Sequence, residues 1–258
     1  VIIYCHLIMK NKILKKILGI LGYKLINKEI IKNERLISSK SYLKIDKLLD
    51  TLFKEKKINN MIQIGANDGI LFDILNSYIK KYKPKSLLVE PIKINYEKLK
   101  ENYKNCNFVS FENSAISVSN EISSLYKVDE KYIKNYSKHI PGITSFDKDH
   151  LLKHGVKSSH IISESVSSIS MKDLITKHNL KSLDLLYVDA EGYDGKIVID
   201  FLTTTIFKPI IILEFIHIKN VIFELLIKNL ENEKYKFFMI DENLVCYPEN
   251  DIKHIKFN

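Results

Sequence analysis

The sequence predicts an α/β protein with a mostly parallel sheet, because short apolar strands alternate with amphipathic helices along most of its length. Strands are predicted within 60–69, which ends in a glycine turn, within 86–91, and at the start of 107–117. Helices over 70–82 and 92–104 separate them. Neighbouring parallel strands need crossovers of this kind, and such crossovers are right-handed almost without exception.

The second half of the chain continues the alternation and closes the predicted sheet. A strand and turn lie in 182–195, a central strand lies in 208–215, and an antiparallel hairpin follows at 236–240 and 244–248. The stretch 118–168 is less regular, and we interpret it as a substrate-facing insertion with a strand or two and a short helix. Further helices are predicted at 171–180, 195–204 and 219–232.

With 258 residues, the chain can bury one sizeable core and carry an N-terminal appendage. We assign 58–258 to the main domain and 1–57 to a helical appendage. Apolar residues recur at helical spacing from Met9 to about Ile26, with lysines on the other face. Such a helix packs on the domain or lies on an anionic membrane surface as a peripheral contact. A second helix is predicted over 41–57, and residues 1–8 are interpreted as a start-site extension.

The formal charge of +9 would attract anions such as nucleotide-linked sugars, phosphorylated glycans, nucleic acid or acidic lipid, but solvated surface lysines are the preferred interpretation. The basic residues are spread along the chain without a nucleic-acid-binding motif, so we predict no nucleic-acid partner. Cys5, Cys106 and Cys246 are far apart and form no CxxC pair, which argues against disulfides and zinc clusters and fits a reduced, cytoplasmic compartment. The sequence contains no uninterrupted run of about 20 apolar residues, so we predict no transmembrane segment.

The first candidate site is the turn Gln63-Ile64-Gly65-Ala66-Asn67-Asp68-Gly69, between a predicted strand and a predicted helix. Glycines there let the backbone approach a ligand closely, and free N–H groups at a helix start would face it. Its G-x-x-x-G spacing differs from the dinucleotide fingerprint G-x-G-x-x-G and suits a ligand without a pyrophosphate. The alternative is a tight turn selected for packing.

The second candidate is Glu90, which ends the next predicted strand about 20 residues beyond the glycine turn. A carboxylate at this place can accept both hydroxyls of an adenosine ribose. A surface acid at a strand end is the alternative.

The third candidate is Asp189-Ala190-Glu191-Gly192, at the carboxyl end of another predicted strand, where ligands of open α/β sheets bind. Two acids there can act as a base, orient a substrate or hold a divalent cation. A helix N-cap is the alternative, and it explains one of the acids better than both.

These segments together resemble a known family. IQIGANDG, LLVEP, LDLLYVDAEGYDG and KPIIILEF, in this order and spacing over about 58–247, are similar to the FkbM family of methyltransferases. The resemblance implies a Rossmann-like, seven-stranded methyltransferase sheet with helices on both faces. It also implies S-adenosyl-L-methionine as methyl donor and, most often, O-methylation of sugar hydroxyls in glycans, glycolipids or secondary metabolites.

The resemblance also assigns roles by position. It places the methionyl part of the cofactor in the glycine turn, the ribose at Glu90, and the reacting centre at Asp189 and Glu191, with Glu214 as another wall. The residues that it places near the adenine are Asn113, Ser114 and Ala115. The chain departs from the family at Gln63, where Asp is frequent: an amide can hydrogen-bond the cofactor but cannot pair with its amino group by charge.

Methyl transfer to a sugar hydroxyl needs a base, since the hydroxyl is a poor nucleophile. Asp189 is the first candidate and His217 the second, although His217 is equally an ordinary loop histidine. Thr144 and Ser145 could reach the acceptor. The spacing demands no metal, but the acids Asp189, Glu191 and Glu214 could hold Mg²⁺.

Two other functions stay open at this point. The same fold could methylate a lipid or a small metabolite, for which the N-terminal helix would give membrane contact. The chain could also be a non-catalytic module that keeps the cofactor pocket, although the presence of Glu90 with both Asp189 and Glu191 argues against that.

Overall fold

The computed structural model describes residues 2–4, 24–26, 44–56, 58–71, 73–117, 123–137 and 140–249. The chain divides into two compact units, residues 1–44 and 45–258. In the first unit, β1 (Ile2–Tyr4) pairs in parallel with β2 (Lys24–Ile26). Most of the helix predicted from Met9 lies outside the described residues, but its end at Lys24–Ile26 is a strand, so that part of the prediction is wrong. A segment of three residues is too short to distinguish the spacing of apolar residues in a helix from that in a strand.

The second unit begins with helix α1 (Ile45–Thr51), which continues as a π-helical turn over Leu52–Lys56. This confirms the second predicted helix from Ile45 onward, while the predicted start at residues 41–43 lies outside the described residues. Leu48, Leu49 and Leu52 are buried in the core of this unit. The helix is therefore grouped with the sheet, although the sequence analysis assigned it to the appendage.

Seven strands form one sheet in the order β12-β13-β11-β10-β3-β4-β5. Pairing is parallel from β11 to β5 and antiparallel on both sides of β13, which is inserted between β11 and β12. This confirms the predicted mostly parallel sheet with its closing hairpin. The strands are β3 (Asn60–Ile64), β4 (Lys85–Val89), β5 (Val109–Glu112), β10 (Leu185–Val188), β11 (Ile210–Glu214), β12 (Tyr235–Ile240) and β13 (Asn243–Pro248).

Helices cover both faces of the sheet, because successive strand residues point to opposite sides. Met61 packs in the cluster that includes α1, whereas its neighbour Ile62 packs in the cluster on the other face. Helices α2 (Asn76–Tyr82) and α3 (Lys93–Asn102) join the first face; α5 (Met171–Lys177), α6 (Asp194–Thr204) and α7 (Asn220–Asn232) join the second. Among the described helices, none is long and apolar enough to cross a membrane.

The irregular stretch between β5 and α5 forms a small layer of its own. The short strands β6 (Ala115–Ile116) and β9 (Ser168–Ile169) pair in parallel at its base, and β7 (Ser123–Val128) pairs antiparallel with β8 (Ile161–Val166). Between β7 and β8 lie 3₁₀ turns and helix α4 (Lys148–Lys153). A separate apolar cluster holds them together: Val128, Ile140, Ile143, Leu151 and Val156. We call this layer the insertion.

The helix predicted over 70–82 begins only at Asn76, so its first half is wrong. The Asp68 carboxylate accepts from the backbone N–H groups of Ile70 and Leu71, at 2.9 and 2.8 Å. The Asp73 carboxylate accepts from the N–H of Leu75, at 2.8 Å. Aspartates that bond nearby backbone N–H groups stabilise turns in place of helix, and here two of them hold this segment in turns.

Candidate active site

A cavity of about 470 Å³ opens at the carboxyl ends of β3, β4, β10 and β11. Its lining includes Gly65 after β3, Glu90 after β4, Asp189 after β10 and Glu214 at the end of β11. The insertion contributes Thr144 to the same lining. The three motifs of the sequence analysis therefore meet at one edge of the sheet, which is where open α/β sheets bind their ligands.

The glycine turn brings three strand ends together. Gly65 has a φ of +81°, and an added Cβ there would lie 1.8 Å from the carbonyl oxygen of Asp189. The backbone N–H groups of Gly65 and Ala66 both donate to the carbonyl of Val89, at 3.0 Å. Only glycine permits this close packing of β3 against β10, so Gly65 shapes the floor of the cavity.

Glu90 is buried, with 5% of its surface exposed. Its carboxylate accepts from the backbone N–H groups of Asn67 and Ile92, each at 2.9 Å. Burial raises the pKa of Glu90 to about 7, because desolvation outweighs these two hydrogen bonds. The expectation that the turn offers its N–H groups to the ligand is wrong for Asn67, whose N–H binds Glu90, and the helix starts farther on.

Two oxygens in the cavity wall have no donor. Gln63 is 2% exposed, and its Nε2 donates to Oδ1 of Asp73 at 3.0 Å. The Oε1 of Gln63 and the Oδ2 of Asp73 are buried and find no hydrogen-bond partner among the described residues. Burial also raises the pKa of Asp73. An unpaired buried acceptor costs about 1–3 kcal/mol, so this pair is suited to a ligand with N–H donors.

The sequence analysis did not identify Asp73 as a site residue. The segment was predicted as a continuous helix, and nothing in its spacing placed this acid beside Gln63. In the structure, the turns before α2 carry Asp73 back to the end of β3. A carboxylate is therefore present next to the position where the family frequently has one.

Asp194 holds the turn that follows β10. It is fully buried, and its two oxygens accept from the N–H groups of Ala190 and Gly192, at 2.9 and 3.0 Å. Burial raises the pKa of Asp194 to about 8. Because Asp194 binds the turn's backbone, the helix-cap interpretation does not account for Asp189 and Glu191, and both of these line the cavity.

Burial, and to a smaller extent nearby carboxylates, raise the pKa values of Asp189 and Glu214. Burial raises the pKa of Asp189 to about 7, with smaller contributions from Glu191 and Asp73. Burial likewise raises the pKa of Glu214 to about 8, and Asp189 and Glu191 add to the shift. Tyr187, also in the lining, has its phenol pKa raised by burial. Carboxylates whose pKa lies near neutrality in a cleft are typical of catalytic sites.

Three histidines stand beside these acids. Nε2 of His217 lies 3.7 Å from Oε2 of Glu214, and Nε2 of His150 lies 3.0 Å from Oε2 of Glu191. His154 and His217 line the cavity. Of the three, only His217 was identified from the sequence, since His150 and His154 lie in the insertion, where no motif marks them.

The loop after the second 3₁₀ turn of the insertion reaches the cavity at Thr144, and contact of this residue with the acceptor stays a prediction. Ser145 is buried outside the described lining, and its Oγ donates to the carbonyl of Glu191 at 3.0 Å. Phe146 packs against Tyr193, with ring centroids 4.5 Å apart and the ring planes tilted by 44°. These contacts hold the insertion against the turn that carries Glu191.

The predicted cofactor residues divide into two groups. Gln63, Gly65, Ala66, Asn67, Glu90, Ser114, Ala115 and Asp189, which is predicted to contact the cofactor as well as to act in catalysis, line the cavity. Asp68, Gly69 and Asn113 are not part of its described lining. Asp68 holds the turn before α2, an added Cβ at Gly69 would meet Leu99 and Tyr103 side chains at 2.6 Å, and the Asn113 amide donates to the carbonyls of Glu90 and Pro91. These three residues support the cavity from behind.

A family model described as the methyltransferase FkbM domain matches residues 63–237. The chain belongs to this family. The match spans the glycine turn, Glu90 and the turn after β10, and the sheet order is that of a Rossmann-like methyltransferase fold. The family resemblance and fold class predicted from the sequence are confirmed. No curated protein sequence matches the chain.

Several solved methyltransferase structures are similar to the chain at low sequence identity and low TM-score. A methyltransferase FkbM from Methylobacillus flagellatus KT is 13% identical with a TM-score of 0.41, over 77% of this chain and 48% of that one. An O-methyltransferase from Bacillus cereus in complex with SAH is 9% identical with a TM-score of 0.42, over 93% and 98%. Aeropyrum pernix fibrillarin with natively bound S-adenosyl-L-methionine is 10% identical with a TM-score of 0.39, over 73% and 66%. The chain thus spans about half of the Methylobacillus protein.

Proposed function

We propose that this protein is an S-adenosyl-L-methionine-dependent O-methyltransferase that methylates a sugar hydroxyl of a surface glycan, glycolipid or nucleotide-linked sugar. One observation carries the cofactor assignment. Buried Glu90 stands at the end of β4, and Gln63 and Asp73, which line the same cavity, each have a buried oxygen without a hydrogen-bond partner among the described residues. A ligand with ribose hydroxyls and an ammonium group satisfies this set of acceptors.

The cavity residues fit the parts of this cofactor. Glu90 would hold the ribose hydroxyls, and Gln63 with Asp73 would hold the amino group. Ser114 and Ala115 would lie by the adenine, on the family's assignment. Gly65 would lie by the methionyl part, on the family's assignment, and its lack of a side chain lets the floor of the cavity pack against the backbone of Asp189. When bound, the cofactor supplies an activated methyl group on a positively charged sulfur.

Asp189 is the base in this proposal. It lines the cavity at the end of β10, and its pKa of about 7 lets it take a proton from a hydroxyl near neutral pH. Thr144 and Glu214, which also line the cavity, would hold the acceptor by hydrogen bonds. Positioning of this kind supplies most of the rate in a displacement reaction, since the reacting atoms must be in line at near-attack distance.

The chemistry of the lining favours a neutral, hydroxyl-rich acceptor. Carboxylates at Asp189, Glu191 and Glu214 are good acceptors for sugar hydroxyls, and the described lining contains no Lys or Arg. The net charge of +9 therefore lies elsewhere on the chain. A phosphate on the acceptor would lie outside the cavity, where surface lysines can meet it.

Thermal shift with S-adenosylhomocysteine tests the cofactor assignment. We expect stabilisation of the wild type and its loss in Glu90→Ala, whereas Glu97→Ala should respond as the wild type does. Glu97 is a matched control because its side chain is 51% exposed on α3. Equal stabilisation of Glu90→Ala and the wild type would contradict the assignment.

Transfer of a labelled methyl group tests the acceptor class. The full chain is offered nucleotide-linked sugars, neutral oligosaccharides, glycolipids, and small phenols and lipids without sugar. We expect label on a sugar hydroxyl and none on the compounds without sugar. Transfer only to sugar-free compounds would overturn the acceptor class and leave the methyltransferase assignment standing. Cofactor binding without transfer to any compound would favour a non-catalytic module.

A further inference from the structure

Three histidine rings converge beside the cavity. His150 lies in α4, His154 ends that helix, and His217 follows β11. The ring centroids are 4.7 Å apart for His150 and His154, 4.6 Å for His150 and His217, and 5.2 Å for His154 and His217. One ring nitrogen from each lies within 4.8 Å of the others. A second group within the same distance joins His217 with Glu191 and Glu214.

The histidine cluster is largely withdrawn from water. His150 is buried, with 9% of its surface exposed, and the side chain of His217 is 22% exposed. An imidazole binds a metal ion through the lone pair of a ring nitrogen, and His is the commonest metal ligand in proteins.

Neighbouring groups hold two of the rings in place. The Glu191 carboxylate lies 3.0 Å from Nε2 of His150, and a carboxylate on one ring nitrogen leaves the other nitrogen for an ion. Gly192 has a φ of +94°, and an added Cβ would lie 3.0 Å from the carbonyl oxygen of His217. The loop that carries His217 is therefore packed closely against the turn that carries Glu191.

We propose that His150, His154 and His217 bind a divalent transition-metal ion, for which Zn²⁺ is the best match, with Glu191 as the carboxylate that orients His150. Three nitrogen donors suit Zn²⁺ or its neighbours, whereas Mg²⁺ takes oxygen ligands. This set differs from the three acids considered from the sequence. Among the described residues, Asp189 belongs to neither converging group.

Three protein ligands leave a position for water or an acceptor oxygen, which is the arrangement of catalytic zinc sites. His154 and His217 line the cavity that also contains Asp189. An ion there would lower the pKa of a bound hydroxyl and so assist its deprotonation. This role rests on the proposed function, but the binding of the ion needs neither cofactor nor acceptor.

Zinc titration of the full chain tests the site. The protein is purified without a polyhistidine tag, stripped with EDTA and titrated with Zn²⁺ by calorimetry, and Co²⁺ is followed by visible absorption. We expect one Zn²⁺ per chain, and Co²⁺ bands that Zn²⁺ displaces. His154→Ala and His217→Ala should each weaken Zn²⁺ binding by more than about 100-fold, and Glu191→Gln by about 10–100-fold.

His178→Ala is the matched control, because His178 bonds Glu112 rather than the cluster. It should bind Zn²⁺ as the wild type does, and circular dichroism should show that every variant is folded. Absence of stoichiometric binding, or wild-type affinity in His154→Ala and His217→Ala, would overturn the proposal. Stabilisation of the metal-free chain by S-adenosylhomocysteine is measured in parallel. If that stabilisation is present without Zn²⁺ binding, only the metal site fails; in the reverse case, only the cofactor assignment fails.

Discussion

Glu90→Gln should flatten the pH dependence of stability between pH 5 and pH 8. The pKa of Glu90 is about 7 in the folded protein, against 4.5 for an ordinary glutamate. A raised pKa contributes stability that is fully present below the unfolded value and is lost as the pH rises through the folded value. At 1.36 kcal/mol per pKa unit, ionisation of Glu90 costs about 3 kcal/mol at pH 8 and less than about 1 kcal/mol at pH 5. The wild type should therefore lose about 2–3 kcal/mol across this interval that the variant keeps.

The pH dependence of the variant's free energy of unfolding is a better test than its value at a single pH. Glutamine has one oxygen, so its amide N–H₂ would face the backbone N–H of either Asn67 or Ile92, both of which donate to the Glu90 carboxylate. A lost hydrogen bond with an unsatisfied donor costs about 1–3 kcal/mol. Because this cost does not depend on pH, it moves the whole stability curve and leaves the difference in slope intact.

Urea unfolding of the cofactor-free protein at several pH values provides the measurement. The chain has no tryptophan, so far-UV circular dichroism is the suitable probe. Asp189, Asp194 and Glu214 also have raised pKa values, but they are present in both proteins and cancel in the comparison. Glu97→Gln serves as the exposed control. Parallel curves for Glu90→Gln and the wild type from pH 5 to pH 8 would refute the reasoning.

Three further substitutions test other parts of the site. Gly65→Ala should lower the free energy of unfolding by at least about 2 kcal/mol in urea and abolish S-adenosylhomocysteine binding, because its Cβ collides with the Asp189 carbonyl at a positive φ. Asp73→Asn keeps the shape of the side chain but removes its charge, so calorimetry should show about a 10-fold or greater loss of S-adenosylhomocysteine affinity. An unchanged affinity would show that Asp73 does not bind the amino group of the cofactor. Asp189→Asn should reduce kcat by about 10²–10⁴-fold and leave S-adenosylhomocysteine affinity unchanged; an unaffected kcat would transfer the role of base to His217.

The sheet could be predicted from the sequence because each strand carries its own signal. Apolar runs that end at Gly65, Glu90 and Asp189 mark buried parallel strands, and the parallel arrangement brings those ends to one edge. The cavity's main carboxylates followed directly. The pattern of strands therefore determines which residues lie at the carboxyl edge of the sheet.

The rest depends on contacts that no local period encodes. Asp73 reaches Gln63 only because side-chain bonds of Asp68 and Asp73 to nearby N–H groups replace the predicted first turns of α2. His150 and His217 meet although they lie far apart in sequence, through the packing of the insertion on the turn after β10. This contact between the two histidines results from tertiary packing, so the sequence around either residue does not predict it.

Five acids with raised pKa values lie at this one edge: Asp73, Glu90, Asp189, Asp194 and Glu214. Burial is the largest cause for each, so each one destabilises the folded chain when it ionises. A protein selected for stability alone would not keep this arrangement. The Asp194 carboxyl group accepts hydrogen bonds from the backbone of the turn, whereas the other four acids line the cavity. A cationic ligand offsets their ionisation cost by binding only the folded state, so the feature that weakens the empty protein would favour the proposed cofactor, which bears an ammonium and a sulfonium group.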